Sequence, residues 1–317
     1  MGRKIIIFTM IVTAAAFLPM LLSSKQDDMK LVTINKFVDH PALNASSDGV
    51  MDALRKRIPS IMIDEQDAQG SSTNAFQIAK HQASSNPEAM VAIATPSAQS
   101  TLKARRDNNI IIGFAAVTDA KAANLENGVN VIGVTDSPPV EKLITLTSKL
   151  FPNRKRVGTI YNPGEINSVN TIERLKKFCD ELNLELIEAP VNSSSNVKMA
   201  TQKLVDSVDI IYIPQDNMVV SSIEAVVQVT NSSNVPIVDN IPIVSNDDSY
   251  LSKGILIALG TNYYKSGLQL GNLIADQMES GETKSNIQIS DGEELQLNDK
   301  MLEKFGITRA QVEELLQ

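Results

Sequence analysis

The fold is decided by residues 156–182, which read RVGTIYNPGEINSVNTIERLKKFCDEL. The first part, residues 156–161, is a short β-rich run, and residues 162–168 form a polar turn. From Val169 to Leu182 the apolar residues recur at helical spacing. A strand, a tight polar loop and a helix in this order form the front half of a βαβ unit.

Polar side chains in this loop are candidates for binding a ligand. Ligands of open α/β sheets lie over such loops, where the N-terminus of a helix presents unpaired N–H groups to anions. The candidates are Asn162, Glu165, Asn167 and Ser168. Alternatively, Asn167 or Ser168 only caps the helix. The loop alone does not decide between the two roles.

The same alternation of strand and helix runs through the rest of the chain. Apolar segments predict strands at residues 31–37, 58–63, 90–94, 110–116, 130–134, 156–161, 184–189, 208–213, 235–238 and 255–260. Helical patterns lie between them at residues 43–57, 72–84, 98–108, 140–150, 169–182, 196–207, 221–233 and 263–280. Strands separated by helices predict parallel sheets covered by helices on both faces. The break at residues 136–139 divides the series, so we predict an α/β fold with two doubly wound parallel-sheet lobes.

The N-terminus has the pattern of an export signal. Arg3 and Lys4 precede an apolar run from Ile5 to Leu22, and residues 23–30 are abruptly polar. The run borders on the length of a membrane span, so residues 1–24 are expected to be either a cleaved signal or a retained anchor. In both cases the protein is expected to be periplasmic or otherwise extracytoplasmic, and either soluble or tethered to the membrane.

Composition and missing motifs argue against several classes of function. The 317 residues carry a net charge of −8, which disfavours nucleic acid as a partner. The chain has only two histidines, and it lacks the H-E-x-x-H, G-x-S-x-G, Walker and G-x-G-x-x-G patterns. We therefore expect no enzyme activity, no catalytic residue, no metal and no cofactor. Because the single cysteine is Cys179, an internal disulfide is excluded.

Seven motifs in order along the chain point to one family. They are FVDHPAL (37–43), AIATPSAQ (92–99), VTD (134–136), IYNPGEINS (160–168), IYIPQDN (211–217), residues 254–267 with a Tyr-Tyr pair, and LQLN (295–298) leading into KFGI (304–307). From about Leu31 to Thr308 the chain resembles the ABC-transporter substrate-binding family, whose members include tryptophan, tyrosine and phenylalanine binders. The resemblance implies a type I periplasmic-binding-protein fold with a three-crossing hinge, and delivery of a small solute to a membrane permease.

This resemblance implies a division of the chain into lobes. Lobe one is expected at residues 30–135 plus 261–290, lobe two at 136–260, and a C-terminal extension packed on the lobes at 291–317. The chain departs from the family where VPIVDN (235–240) is followed by IPIVSN (241–246). Either Asp239 or Asp247 could therefore hold the family's acidic position, and the distance to Gly254 favours Asp247. The N-terminal region also lacks the cysteine that some members use for lipid attachment.

The candidate ligand site combines loops from both lobes, because two lobes that close on a solute present the C-terminal ends of their strands to it. Asp216 follows an apolar strand, where a carboxylate could meet an ammonium group, although it could instead cap the next helix. Thr95 could likewise be only a cap. The full set of candidates is Phe37, His40, Pro41, Thr95, Ser97, Ala98, Gln99, Asp136, Tyr161, Asn162, Glu165, Asn167, Ser168, Asp216, Asn217 and Asp247.

The predicted function is the extracytoplasmic solute-binding component of an ABC importer, with an aromatic or branched amino acid as the favoured ligand. Residues 95–99 and 167–168 would bind the carboxylate, and Asp216, helped by Asp247, the ammonium. Phe37 and Tyr161 would form an apolar wall. The expected partners are the solute and an ABC permease, and the chain is expected to be a monomer. The alternatives are a membrane-tethered sensory module of the same fold and an exported enzyme.

Overall fold

Two six-stranded sheets form the framework of the chain. The structure is a computed structural model that describes residues 29–233, 235–239 and 251–316. The strands are β1 (Leu31–Lys36), β2 (Met62–Asp67), β3 (Ala89–Ile93), β4 (Ile111–Val117), β5 (Val131–Thr135), β6 (Arg156–Tyr161), β7 (Glu185–Pro190), β8 (Ile210–Ile213), β9 (Ile237–Asp239), β10 (Ile257–Thr261), β11 (Asn286–Ile289) and β12 (Glu293–Leu297).

Helices connect nearly all of these strands. They are α1 (Pro41–Arg57), α2 (Ser72–Ser84), α3 (Thr95–Ala104), α4 (Val140–Leu150), α5 (Ile166–Glu181), α6 (Ser194–Val205), α7 (Asn217–Ser221), α8 (Ile223–Asn231), α9 (Leu251–Gly254), α10 (Tyr263–Ser280), α11 (Asp299–Lys304) and α12 (Arg309–Leu316).

The first sheet has the strand order β11-β5-β4-β3-β1-β2 and is parallel throughout. The second has the order β12-β10-β9-β8-β6-β7, in which only β12 runs antiparallel, against β10. Central strands such as β3 and β8 are buried at every residue, as expected of parallel sheets covered on both faces. The predicted α/β fold with two doubly wound lobes is therefore confirmed.

The sequence misplaced one strand and missed two. The apolar segment 58–63 predicted a strand, but β2 begins at Met62 and reads MIDEQD. This strand lies at the edge of the first sheet, where polar side chains meet water and the apolar signal disappears. The missed strands β11 and β12 are short and mostly half-buried. β12 makes the C-terminal segment part of the second sheet.

The chain crosses between the two sheets three times. The first crossing joins β5 to α4 through residues 136–139, the second joins β10 to α10 at Asn262, and the third joins β11 to β12 through residues 290–292. Helix α10 lies so close to α1 that a Cβ atom on Gly267 would overlap the carbonyl oxygen of Ser46. This close contact anchors the second crossing to lobe one.

Candidate ligand site between the lobes

A small buried cavity lies between the lobes, where the carboxyl ends of strands from both sheets meet. Its volume is about 20 Å³, which is room for one or two water molecules. The lining side chains come from both lobes and from the first two crossings. They are His40, Leu43, Ala116, Thr118, Asp136, Asn167, Gln215, Asp216, Asn217 and Tyr263. Five of the sequence candidates are therefore brought together: His40, Asp136, Asn167, Asp216 and Asn217.

His40 offers a hydrogen-bond donor to this cavity. It is the N-cap of α1, and its Nδ1 accepts from the Leu43 N–H at 3.4 Å. Burial lowers the pKa of His40 to about 4, against the opposing effect of the Asn217 side chain, so the ring is neutral at pH 7. With Nδ1 accepting, the proton of the neutral ring belongs on Nε2. By distance and angle this buried nitrogen has no partner among the described residues, although the nearby Asn217 side chain raises the pKa as a hydrogen-bond acceptor would.

Asp136 offers the complementary acceptor. It lies at the start of the first crossing and is only 2% exposed. Its Oδ2 accepts from Gln215 Nε2 at 3.3 Å, whereas its buried Oδ1 has no partner in the described part of the chain. Burial raises the pKa of Asp136 to about 7, although a hydrogen bond from Tyr263 opposes the shift. A carboxyl group with a free buried oxygen is suited to a cation, because an opposite charge nearby favours its ionised form.

Two other buried carboxylates hold the start of α7. Asp216 caps this helix by accepting from the Val219 N–H at 2.9 Å, and its second oxygen accepts from the Asn162 N–H at 2.6 Å. Glu165 accepts from the backbone N–H groups of Asn217 at 3.1 Å and Met218 at 3.2 Å. The capping role that the sequence left open for Asp216 is therefore observed, and all four carboxylate oxygens are occupied.

The proximity of these two carboxylates has an electrostatic consequence. Burial, followed by repulsion from Asp216, raises the pKa of Glu165 to about 7. Burial also raises the pKa of Asp216, against the hydrogen bonds from Asn162, Val219, Ser168 and Met218. We name Glu165, Asp216 and the first turn of α7 the carboxylate cage. Its carboxylate oxygens accept hydrogen bonds mainly from backbone N–H groups.

Asn167 and Ser168 lie inside the first turn of α5, whose N-cap is Glu165, so neither residue caps the helix. Asn167 Nδ2 donates to the Gln215 carbonyl oxygen at 2.7 Å, and its buried Oδ1 is without a partner among the described residues. Ser168 is fully buried and donates to Asp216. Asn167 therefore presents an amide oxygen to the cavity, and Ser168 supports the carboxylate cage.

The remaining candidates in lobe one lie away from the cavity. Thr95 is the first residue of α3, and the cap position belongs to Ala94. Ser97 donates to Asn35 Oδ1 at 3.2 Å, and Gln99 donates to the Ala123 carbonyl at 3.4 Å. Phe37 and Ala98 are buried in the apolar core, and Pro41 opens α1. The turn after β3 therefore faces the interior of its own lobe.

Tyr161 and Asn162 also lie outside the cavity. The Tyr161 hydroxyl donates to Glu188 Oε2 at 2.9 Å, and its ring packs on the core of lobe two. The Asn162 side chain accepts from the Gly164 N–H at 2.9 Å and shapes the turn. Asp247 lies outside the described residues, as does the side chain of its alternative, Asp239.

Three polar lining residues were missing from the sequence candidates: Thr118, Gln215 and Tyr263. Gln215 and Tyr263 fall inside quoted motifs, but only the docking of the lobes shows that their side chains converge. Thr118 gave no signal in the sequence. The register of β4 shifts between Phe114 and Val117, and Ala116 there has a φ of 56°, the left-handed region. Such a bulge changes the direction of the side chains that follow it.

A larger open groove lies elsewhere on lobe two. Its volume is about 560 Å³, and it lies between β7 and α6, lined by Ile187, Met199 and Leu204 among others. It contains none of the sixteen sequence candidates. Within the described ranges, no group of three His, Cys, Asp or Glu side chains could hold a metal ion. No described helix combines the length and apolarity needed to cross a bilayer.

Comparison with known proteins identifies the family. The model of the ABC transporter substrate binding protein family matches residues 31–317. The chain belongs to this family. A tyrosine-binding protein from Clostridioides difficile is 32% identical over 291 residues, which cover 88% of this chain and 82% of the relative. The resemblance seen in the motifs is thus confirmed, and the relatives are solute-binding proteins rather than enzymes.

Solved structures of relatives differ in how well they superpose. A conserved domain protein from Vibrio cholerae has a TM-score of 0.82 at 34% identity, covering 90% of this chain and 98% of that one. A Streptococcus pneumonia domain in complex with L-Trp has a TM-score of 0.80 at 26% identity, covering 90% and 98%. A ligand-free, open substrate-binding protein from Clostridium difficile has a TM-score of only 0.65 at 30% identity, covering 89% and 96%. This chain therefore superposes better on the L-Trp complex than on the ligand-free, open protein.

Proposed function

We propose that this protein binds an amino acid between its lobes, as the extracytoplasmic substrate-binding component of an ABC importer. Family membership supports the general role, and the tyrosine-binding relative and the L-Trp complex support the ligand class. The observation that carries the proposal is a pair of buried polar groups that line the same cavity. His40 Nε2 is a donor and Asp136 Oδ1 an acceptor, and both are buried without a described partner.

An α-amino acid matches this pair, because it carries an anion and a cation a few ångströms apart. The ammonium group would bind Asp136 Oδ1 and Asn167 Oδ1, and the carboxylate would accept from His40 Nε2. This assignment moves the ammonium contact from Asp216 to Asp136, since both oxygens of Asp216 already accept backbone N–H groups. Charge-assisted hydrogen bonds of this kind are about twice as strong as neutral ones.

Entry of such a ligand requires the lobes to part. A cavity of about 20 Å³ cannot hold an amino acid. Binding would therefore begin in an open form, and closure would bring groups of both lobes onto the solute. Leu43, Ala116 and the ring of Tyr263 would then contact the ligand side chain, which favours an aromatic or branched amino acid. Residues 1–24 would supply the export signal or anchor, and a membrane permease would receive the solute.

Two measurements test the ligand class. Mass spectrometry of small molecules released by denaturing the purified protein identifies what it carries. A thermal-shift panel of amino acids, sugars and nucleosides measures stabilisation, which is about 2.7 kcal/mol at a hundred times the dissociation constant. An amino acid should give the largest shift. If only a sugar or a nucleoside stabilises the protein, the proposed ligand class is wrong.

A further inference from the structure

One side chain of lobe two contacts three other parts of the molecule. Gln215 follows β8 and is 5% exposed. Its Oε1 accepts from the Thr118 hydroxyl at 2.8 Å. Its Nε2 donates to the Tyr263 hydroxyl at 3.0 Å and to the Asp136 carbonyl oxygen at 3.2 Å. An amide suits this position because it accepts at one atom and carries two hydrogens at the other.

The partners of Gln215 differ in how far they would move when the lobes separate. Thr118 follows β4 and belongs to lobe one. Asp136 and Tyr263 lie at the first and second crossings, about which the lobes would rotate. Opening therefore breaks the hydrogen bond to Thr118, whereas the bonds to the crossings can persist. Thr118, Asp136 and Tyr263 are all less than 10% exposed, so water competes weakly with these bonds in the closed form.

We propose that Gln215 is a closure latch, which joins lobe two to lobe one through Thr118 and sets the ratio of closed to open protein before any ligand binds. The latch is a positioning device for the proposed site. It holds the Asp136 side chain through Oδ2, at 3.3 Å, and leaves Oδ1 directed to the ligand. The inference rests on the proposed function only in that the lobes bind by closing. Its test needs no ligand.

The test measures the distance between the lobes by electron-spin labelling of ligand-free protein. Labels at T73C and S194C lie on exposed first turns that follow the edge strands β2 and β7, far from the crossings. The native Cys179 is fully buried, and burial raises the pKa of its thiol to about 12, so the label does not react there. The distance distribution then gives the closed-to-open ratio directly.

Four single variants and one double variant isolate the latch within this labelled protein. Q215L and T118V each remove one side of the hydrogen bond, and T118S restores the hydroxyl. Q228L makes the same chemical change as Q215L at an exposed site on α8. Losing one hydrogen bond should lower the closed-to-open ratio roughly 2- to 12-fold in Q215L and in T118V. The double variant Q215L/T118V should add little to either single change.

The outcomes separate the latch from a general effect on folding. T118S and Q228L should keep the wild-type distribution. If Q215L fails to fold, the difference in closed-to-open ratio between T118V and T118S still tests the latch. An unchanged distribution in folded T118V overturns the latch, whatever the ligand is. A latch that is confirmed while no amino acid binds would instead overturn only the proposed ligand class.

Discussion

The two acidic regions beside the cavity differ in what their carboxylates bind. In the carboxylate cage, Glu165 and Asp216 give every oxygen to a hydrogen bond, mostly from the backbone. At the first crossing, one buried oxygen of Asp136 has no hydrogen-bond partner among the described residues. All three side chains are buried, and burial raises the pKa of each. Burial and acidity therefore do not distinguish a ligand contact from a structural carboxylate, whereas a partnerless buried oxygen that also lines the cavity separates Asp136 from the two cage residues.

The largest expected effect is on binding at Asp136. Removing one partner of a desolvated charge pair costs about 2–5 kcal/mol. D136N should therefore weaken binding of the amino acid selected by the thermal-shift panel by at least tenfold in a calorimetric titration. D206N, at an exposed position of lobe two, is the matched control and should bind as the wild type does. Equal affinity of D136N and D206N for the ligand would mean that Asp136 does not bind it.

The next effect concerns stability at Asp216. D216A leaves the N–H groups of Asn162 and Val219 without their acceptor, and hydrogen bonds to charged groups contribute about 1.5–3 kcal/mol. Urea unfolding should therefore show a loss of about 2–4 kcal/mol, of which the lost helix cap supplies about 1 kcal/mol. D206A should change the free energy of unfolding by less than about 0.5 kcal/mol. If D216A is as stable as the wild type but no longer binds the ligand, then Asp216 binds the ammonium group.

The pH dependence of unfolding tests the raised pKa values. The pKa of Asp136 is about 7 in the folded protein and near 4 in the unfolded chain, so the folded state holds more protons between these values. Its stabilising effect is complete below pH 4 and is lost as the pH rises towards 7. Glu165 acts in the same direction, and His40, whose pKa is lowered to about 4, opposes both up to about pH 6.5.

Comparison with D136N isolates the contribution of Asp136. Between pH 5 and pH 7 the wild type should lose up to about 1.4 kcal/mol per pH unit more than D136N in unfolding free energy. Urea unfolding of both proteins at several pH values measures this difference. Parallel stability curves would mean that Asp136 titrates normally in the folded protein.

The smallest effect is expected at Tyr161. Y161F removes only the half-exposed hydroxyl that donates to Glu188, outside the cavity. Its affinity for the ligand should stay within about twofold of the wild type, as for a surface substitution. A tenfold loss of affinity in the same titration would mean that Tyr161 contacts the ligand, as the sequence predicted.

The sequence predicted the lobes well because periodicity reports local structure. Buried parallel strands such as β3 and β8 are continuous apolar runs, and α10 was predicted with its observed bounds. The pattern failed at the edge strand β2, where half-buried side chains leave no apolar run. Short strands such as β11 take their structure from the neighbour with which they pair.

The site was harder to predict, because strand ends are visible in the sequence but side-chain directions are not. Tyr161 shares a strand face with Val157, so the alternation of β6 places its ring on the core of lobe two. The sequence also could not show that backbone groups occupy Asp216. Gln215 and Thr118 meet only when the lobes dock. That contact depends on the arrangement of two sheets, which no local pattern encodes.

A crystal structure of the complex with the amino acid that stabilises the protein most would show directly which carboxylate binds the ligand ammonium. We expect the ligand nitrogen to lie about 2.7–2.9 Å from Asp136 Oδ1, the range of a charge-assisted hydrogen bond. The Asp216 oxygens should still accept from the N–H groups of Asn162 and Val219. A ligand nitrogen bound to Asp216, with Asp136 Oδ1 left without a contact, would contradict it.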